Sequence, residues 1–528
     1  MARRVGRIII WTIAAAAMLC AALSIGLTIG FRGYLKRAVV TVLRERFESD
    51  VQIQDIRVFI LPRIYVTAQG VVLRHKGRTD VPPLLTADKL EVSAGVWSFL
   101  SSPRRIDSVH LEGLQIHVPP KLNHPQPTAK SDHELPASIG EITSDDAVFV
   151  MLPKEADKVP LEFDIHHLVL HDFNPEGPAD FTATLTNPKP IGEIQTEGKF
   201  GPWDADEPSV TPVSGTFGFT KANLGTLKGI SGILSSSGKF DGVLDELNVE
   251  GDTDTPDFAL RYSEKPVDLK THFVAVVDGT NGNTELKSVT ARFLNSMVET
   301  SGEIIKTPGA PARHIELDAV ARDARVEDLL HLVVKSDEPV MTGSVGLQAK
   351  IDLPPVAGED IFDRLILSGR FGIEGAQFSS LQVQEKVDAL SRRGQGQPKN
   401  EDIEDVISNL RGQFTLKDRL ATFSNLAFDV SGAKIQLNGS YNLDQETLDF
   451  SGLLLLNAKL SQTVTGKKSF FLKAIDPFFE KNGAGTSLPI RITGTRSNPA
   501  FGLDFNHDDR GKNKDKKDEK ADPVKTKR

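Results

Sequence analysis

From Val51 onward the chain alternates apolar and polar residues with a period of two. Ile64-Tyr65-Val66-Thr67-Ala68, Leu114-Gln115-Ile116-His117-Val118 and Leu161-Glu162-Phe163-Asp164-Ile165 show it early, and Phe181-Thr182-Ala183-Thr184-Leu185 repeats it. It returns at Ile315 to Ala319, Val345 to Leu353, Ile435 to Gly439 and Ile490 to Gly494. Such alternation lines one face of a strand with apolar side chains and leaves the other polar. Gly, Asn, Asp and Pro separate the runs, as hairpin turns require. The pattern predicts an elongated antiparallel sheet with one wet and one dry face. The dry face must meet itself by curling, meet a helix, or meet a ligand. Alternation alone does not say which residues line a groove.

Helical periodicity is confined to short stretches. Tyr34 to Phe47 places Leu35, Val39, Val42, Leu43 and Phe47 on one side. That helix either packs on its own domain or lies on anionic lipid headgroups. Ala94 to Leu100, Lys221 to Leu227 and Arg325 to Leu330 read as single turns. Phe378 to Arg392 reads as a longer helix with Leu381, Val387 and Leu390 on one face, and Asp402 to Leu410 as another. Lys467 to Lys481 crowds Phe470, Phe471, Leu472, Ile475, Phe478 and Phe479 around Pro477. It reads as a plug over one end of the sheet, or as a docking element at the far tip.

The N-terminus changes the picture. Arg3, Arg4 and Arg7 precede an uncharged run of 24 residues, Ile8 to Phe31. A bilayer-crossing helix needs about 20 residues, and signal-peptide cores are shorter, about 7–15. The run reads as an uncleaved anchor, and the early arginines favour a cytoplasmic N-terminus. Arg32, Lys36, Arg37 and Arg44 follow the anchor and weigh against that orientation. The long polar remainder suits an exported domain.

Of 528 residues, 39% are hydrophobic and 25% charged, so the chain has globular composition. The net charge of −9 and the lack of a basic stripe outside the termini argue against nucleic acid as a partner. The single cysteine, Cys20, lies inside the anchor, so no internal disulfide or cysteine metal site can form. Pro119 to Ser138 reads as an exposed loop, and His507 to Arg528 as a disordered charged tail.

No constellation of residues points to catalysis. His166, His167 and His171 cluster near Asp164 and Asp172, but neighbours on a strand face opposite sides. Asp252, Asp254 and Asp257 lack the glycine and bidentate glutamate of a calcium loop and read as an acidic turn. Gly483-Ala484-Gly485-Thr486 lacks the lysine of a phosphate loop, and there is no nucleophile elbow or zinc-binding His pair. No catalytic, cofactor or metal residue is assigned, and the chain reads as a non-enzyme.

The C-terminal region resembles the AsmA-like family. Ser368-Gly369-Arg370-Phe371-Gly372-Ile373 is followed by Leu381 to Arg392, then Leu410-Arg411-Gly412-Gln413-Phe414-Thr415-Leu416. Next come Leu426-Ala427-Phe428, Leu437-Asn438-Gly439-Ser440-Tyr441-Asn442-Leu443 and Leu448-Asp449-Phe450. Asp476-Pro477-Phe478-Phe479, Leu488 to Thr495 and Asn498-Pro499-Ala500-Phe501 close the series. Gly215-Thr216-Phe217-Gly218-Phe219, Gly238-Lys239-Phe240 and Ile106 to Gly113 have a similar rhythm. The order of these phrases carries the resemblance. It implies a role in outer-membrane biogenesis, with an apolar groove in a curled sheet that carries phospholipid between membranes.

The expected fold is therefore mainly β: a transmembrane helix, then an elongated, curled antiparallel sheet with a few short helices. The expected divisions are 1–31 (stub and anchor), 32–118 (α+β), 119–138 (loop), 139–367 (repetitive β), 368–506 (C-terminal AsmA-like) and 507–528 (tail). The expected location is a bacterial inner membrane, single-pass, with the bulk of the chain in the periplasm. Expected partners are phospholipid, the inner membrane itself and envelope proteins. A scaffold or tether for outer-membrane protein assembly, with a filled core and no lipid, is the alternative. About 20 strands at about 4.8 Å extend on the order of 100 Å, less after curling.

Overall fold

The computed structural model describes residues 50–504, apart from 120–136 and short stretches at 60–62, 75–77, 96–97, 99–103, 153–159, 175–176, 189, 205–206, 336–337, 357–359, 400–401, 403, 466–467, 469–472, 474–475 and 481–484. The anchor run Ile8–Phe31, the Tyr34–Phe47 helix and the charged tail lie outside the described residues. Among the described residues no helix is long and apolar enough to cross a membrane.

All 25 described strands belong to one long curled sheet. The first nine are β1 (Asp50–Phe59), β2 (Ile64–Arg74), β3 (Leu85–Ala94), β4 (Arg104–Glu112), β5 (Gln115–Val118), β6 (Ala137–Met151), β7 (Leu161–Phe173), β8 (Ala179–Pro188) and β9 (Ile191–Phe200). The middle holds β10 (Pro212–Asn223), β11 (Ile230–Ser231), β12 (Ile233–Val243), β13 (Glu246–Leu260), β14 (Val267–Val277), β15 (Thr284–Phe293), β16 (Ser296–Ile305) and β17 (His314–Arg325). The last are β18 (Met341–Leu353), β19 (Ile366–Phe378), β20 (Ser408–Lys417), β21 (Leu420–Val430), β22 (Ala433–Asn442), β23 (Thr447–Leu456), β24 (Thr486–Thr495) and β25 (Asn498–Leu503). Helices α1 (Val326–Val333), α2 (Ile361–Arg364), α3 (Leu381–Gly394) and α4 (Asp476–Phe479) sit in connections.

Nearly every strand pairs antiparallel with its sequence neighbour. The exception corrects the all-antiparallel expectation: β4 and β5 both pair parallel with β6, so the sheet is mixed. A parallel pair needs a crossover of a dozen or more residues, and the Pro-rich stretch between Val118 and Ala137 supplies it. Ala137 and Ser138, expected in that loop, begin β6. The ladder also runs unbroken across 367–368, which falls inside β19.

Two predicted helices come out differently. Asp402–Leu410 is not helical where described, and Ser408 starts β20. Asp405 has φ +51°, which breaks a helix, and α3 captures the next peptide. Val406 N–H donates to Asp388 Oδ1 (3.0 Å), and Gln384 Nε2 donates to Val406 C=O (3.1 Å). The same contacts rotate α3 away from its expected face. Leu381 is 73% exposed, while Gln384, Val387, Asp388 and Ser391 are buried. Backbone groups crossing the strand ends need partners, and side chains on α3 provide them. Of the predicted single turns, Lys221–Asn223 finish β10, and only Leu224–Thr226 turn, capped by the Asn223 side chain. In Ala94–Leu100, Ala94 ends β3 and Ser98 is the one described helical residue. Arg325–Leu330 becomes α1, which packs on β17 and β18.

Apolar residues from β1 to β8 form one connected core that includes Ile56, Ala68, Leu111 and Ile165. Beyond it, the two long edges of the sheet meet twice. Met151, at the end of β6, approaches the turn after β14, and shares a small buried cluster with Val118 and Leu244. A Cβ on Gly279 would lie 2.8 Å from Met151 Cε. Further on, Ile361 N–H donates to Lys228 C=O (3.2 Å), and Tyr262 Oη donates to Leu443 C=O (3.1 Å). The Tyr262 and Phe362 rings stack with centroids 5.6 Å apart. Strands twist by about 20–25° each, so eight or nine rungs turn the strand axis by roughly half a revolution. That rotation swings one edge round to the other. Each such hydrogen bond or ring pair is worth only about 0.5–1.5 kcal/mol.

Asp328 fixes the start of α1 against the β15–β16 turn. Its buried carboxylate accepts from Asn295 N–H and Ser296 Oγ–H, both at 2.8 Å. Asp328→Ala leaves those donors unpaired at a cost of about 1–3 kcal/mol. Amide hydrogen exchange at Asn295 should accelerate accordingly, while exchange in β1–β3 stays unchanged.

Candidate functional site

Directly paired residues on adjacent strands share a face, so the register can be followed from rung to rung. One row begins Ile56–Ala68–Leu90–Leu111–Ser144–Leu168–Ala183–Thr196–Phe217. It continues Gly238–Gly251–Phe273–Val289–Thr300–Ala319–Ala349–Gly369. It ends Phe414–Phe423–Gly439–Phe450–Ile492–Phe501. No residue in the row is charged. The row one residue over, on the opposite face, holds Arg57, Glu91, His110, Glu197, Lys239 and Glu250.

Thr196, Thr253, Thr271 and Thr300 on the apolar face are half-buried, and on the polar face Thr67, Thr143, Thr184 and Thr290 are half-buried while Thr216, Thr415 and Thr422 are exposed. From β9 onward the large apolar residues are mostly half-buried: Phe217, Phe273, Leu317, Phe371 and Phe414 keep part of their surface free. No second sheet covers them, since every described strand lies in this one.

Glycine and phenylalanine build the floor of this face together. A Cβ on Gly238 would lie 2.8 Å from Phe217 Cε1, and one on Gly439 2.7 Å from Phe450 Cδ1. Gly251 and Gly369 stand in the same relation to Phe273 and Phe414, at 3.1 Å. Each ring lies against a neighbour that has no side chain. Two further ring pairs, Phe371–Phe414 and Phe423–Phe450, have centroids 6.2 and 5.8 Å apart. The chain has 28 Phe against 4 Tyr and 3 Trp, so its aromatic surface carries few polar atoms.

The polar face carries cross-strand ion pairs, including Lys199–Asp180 (2.8 Å) and Lys239–Glu250 (2.9 Å). The Glu250 contact raises the Lys239 pKa. Open hollows of about 660 and 730 Å³ lie on this face, lined by groups such as Glu303, Asp318, Lys350 and Arg370. A twisted sheet is saddle-shaped, so both faces are dished along some direction. These hollows carry charged groups and are wide open.

The sequence candidates for metal chemistry do not assemble. A bulge between Ile165 and His167 puts both His166 and His167 on the polar face, correcting strict alternation, but their partners differ. His166 Nε2 meets Thr186 Oγ1 (2.6 Å), and His167 Nδ1 meets Asp145 Oδ1 (2.7 Å). Asp252, Asp254 and Asp257 lie in β13, not in a turn, and Asp257 accepts from Ile233 N–H (2.9 Å). Among the described residues, only His314, Glu316 and Asp352 bring three ligand atoms within 4.8 Å. One imidazole and two carboxylates are chemically able to hold a divalent cation. Here His314 Nε2 already faces Asp352 Oδ1 (2.8 Å) and Glu316 Oε1 (3.3 Å). The Phe-rich stretch Lys467–Lys481 lies largely outside the described residues. Its Asp476 is buried and ties α4 to Ser461 through N–H (2.8 Å) and Oγ–H (2.7 Å) donors. Of Gly483–Thr486, Thr486 is a buried member of β24.

Set against known protein families, curated proteins and solved structures, the chain matches none.

The Gly–Phe floor gives a clean pair of substitutions. Gly369→Ala drives a methyl into the Gln348 carbonyl and the Phe414 ring, and should destabilise by about 1–3 kcal/mol. Gly372→Ala, on the polar face, meets nothing within 4 Å and should be neutral or stabilising by about 0.4–1 kcal/mol. Hydrogen exchange across β18–β20 distinguishes the two.

Proposed function

We propose that this protein carries phospholipid acyl chains along the apolar face of its curled sheet. The observation that carries the reading is the uncharged row from Ile56 to Phe501, which crosses the whole ladder without interruption. Each methylene moved from water onto such a face gains about 0.8 kcal/mol. Backbone polar groups are spent within the ladder, so the face offers an acyl chain apolar surface with few polar atoms. The polar face and its ion pairs keep the outside in water.

The motif order resembling the AsmA-like family supports the same reading. So does the apolar run Ile8–Phe31: on this reading it anchors the chain once in an inner membrane, and the sheet extends into the periplasm. On this reading the protein serves outer-membrane biogenesis, is not an enzyme and needs no cofactor. The scaffold alternative predicts an apolar face packed to full burial, and the half-buried phenylalanines from β9 onward favour lipid carriage over it.

The test uses the full chain in its membrane. A photo-crosslinking phenylalanine analogue replacing Phe273, Phe371 or Phe423 should capture phospholipid, identified by mass spectrometry. The analogue at Lys270, Arg370 or Thr422, on the polar face, should not. Phe273→Asp together with Phe371→Asp should reduce capture at 423 by at least about tenfold, because a buried carboxylate on the path is costly to desolvate. Protein adducts alone at all three inner positions would sink lipid carriage in favour of a scaffold.

A further inference from the structure

The second meeting of the sheet edges brings four connections together. On one edge stand the turn after β10, with Lys228 and Gly229, and the turn after β13, with Tyr262. On the other stand α2 and the turn after β22, with Leu443. Eight rungs separate β10 from β19, where the Lys228–Ile361 hydrogen bond closes, and nine separate β13 from β22, where Tyr262 reaches Leu443. Among the described residues no ladder crosses this junction. The contacts across it include the Lys228–Ile361 and Tyr262–Leu443 hydrogen bonds and the Tyr262–Phe362 ring pair.

Each side is braced without the other. Arg261 N–H donates to Gly229 C=O (2.9 Å) on the first edge. On the second, Arg419 bonds Asp444 (2.7 Å) and Asp363 (2.8 Å), and these two carboxylates, Asp444 first, raise its pKa. Gly229 is the point of closest approach, with φ +103°. A Cβ there would lie 2.7 Å from Asp360 Oδ1 and 2.9 Å from Ile361 Cβ. The strand that ends beside Leu443 carries Tyr441 on the apolar face, paired with Ala421 and Leu448.

We propose that this junction is a side gate, through which a phospholipid enters the apolar face laterally with its headgroup left in water. The inference rests on the lipid-carrying reading above. Closed, the gate sheathes the acyl chains between the two edges. Parted, it exposes the apolar path along its side, so a lipid need not thread from one end of the sheet. Weak contacts between separately braced edges are what a reversible opening requires.

Locking the gate tests it in the full chain. With Cys20→Ser removing the native thiol, Gly229→Cys and Ile361→Cys place two Cβ atoms close enough to bond after a small separation, since disulfides span about 3.8 Å. The photo-crosslinking analogue at position 371 reports arrival of deuterated phosphatidylglycerol added in vesicles. Oxidation should slow the deuterated adduct by at least about tenfold, and reductant should restore it. Tyr262→Ala with Phe362→Ala, which weakens the junction without a new bond, should speed it by about threefold or more. Equal rates for oxidised and reduced protein, or no change in the Ala pair, overturn the gate while leaving lipid carriage intact. No adduct in the parent chain overturns lipid carriage, and the gate with it.

Discussion

Everything in this fold depends on holding one face apolar through an unbroken ladder of hydrogen bonds. The side-chain period of a strand is two, so a slip of one residue would send every apolar side chain to water. The pairing nonetheless skips at many places: between Phe219 and Ala222, Ala321 and Ala324, and Ile373 and Ala376. At each skip the residues on both sides stay on the apolar face, because the bulge absorbs the odd residue. Bulges also sharpen the twist. The devices that preserve the face therefore help supply the rotation that brings the sheet edges together.

Much of this was legible in the sequence. Each alternating run singled out falls in a strand, except that Leu114 stands just before β5, and the apolar members of Phe163–Ile165, Ile315–Ala319 and Val345–Leu353 lie on one common face. What was not legible has physical causes. Which residues form a groove depends on register, and register depends on bulges that period-two reasoning does not see; His166 is an example. The Gly–Phe floor had a signal, mid-strand glycines in a chain rich in Phe, but the pairing partner is a strand away. The Asp402–Leu410 segment carried a helical pattern that lost to side chains of α3. The edge junctions join Lys228 to Ile361 and Tyr262 to Leu443, and no local pattern encodes such contacts.

The polar face contributes little to stability pair by pair. Exposed ion pairs are worth about 0–1 kcal/mol, and most here are exposed on both sides, as with Lys221–Glu193 and Arg491–Asp449. Their value lies in register and solubility, since opposite charges across a rung favour the correct pairing. The two edge strands differ. In β1 the apolar residues Val51, Ile56 and Val58 are buried, whereas in β25 Phe501 and Leu503 are 61% and 54% exposed. Among the described residues, apolar side chains are thus buried in the first strand of the ladder and exposed in the last.

The meander has a consequence for how such a chain can change in length. Removing two adjacent strands rejoins neighbours that still run in opposite directions and still present apolar residues to the same side. Removing one strand reverses the direction of everything after it. Length is therefore adjustable in hairpin quanta of about 10 Å, and the molecule behaves as a ruler with a fixed smallest division. Because edge meets edge only after about half a revolution of twist, each division gained or lost also shifts the phase of those junctions. Span and closure are thus set by a single integer, the number of hairpins.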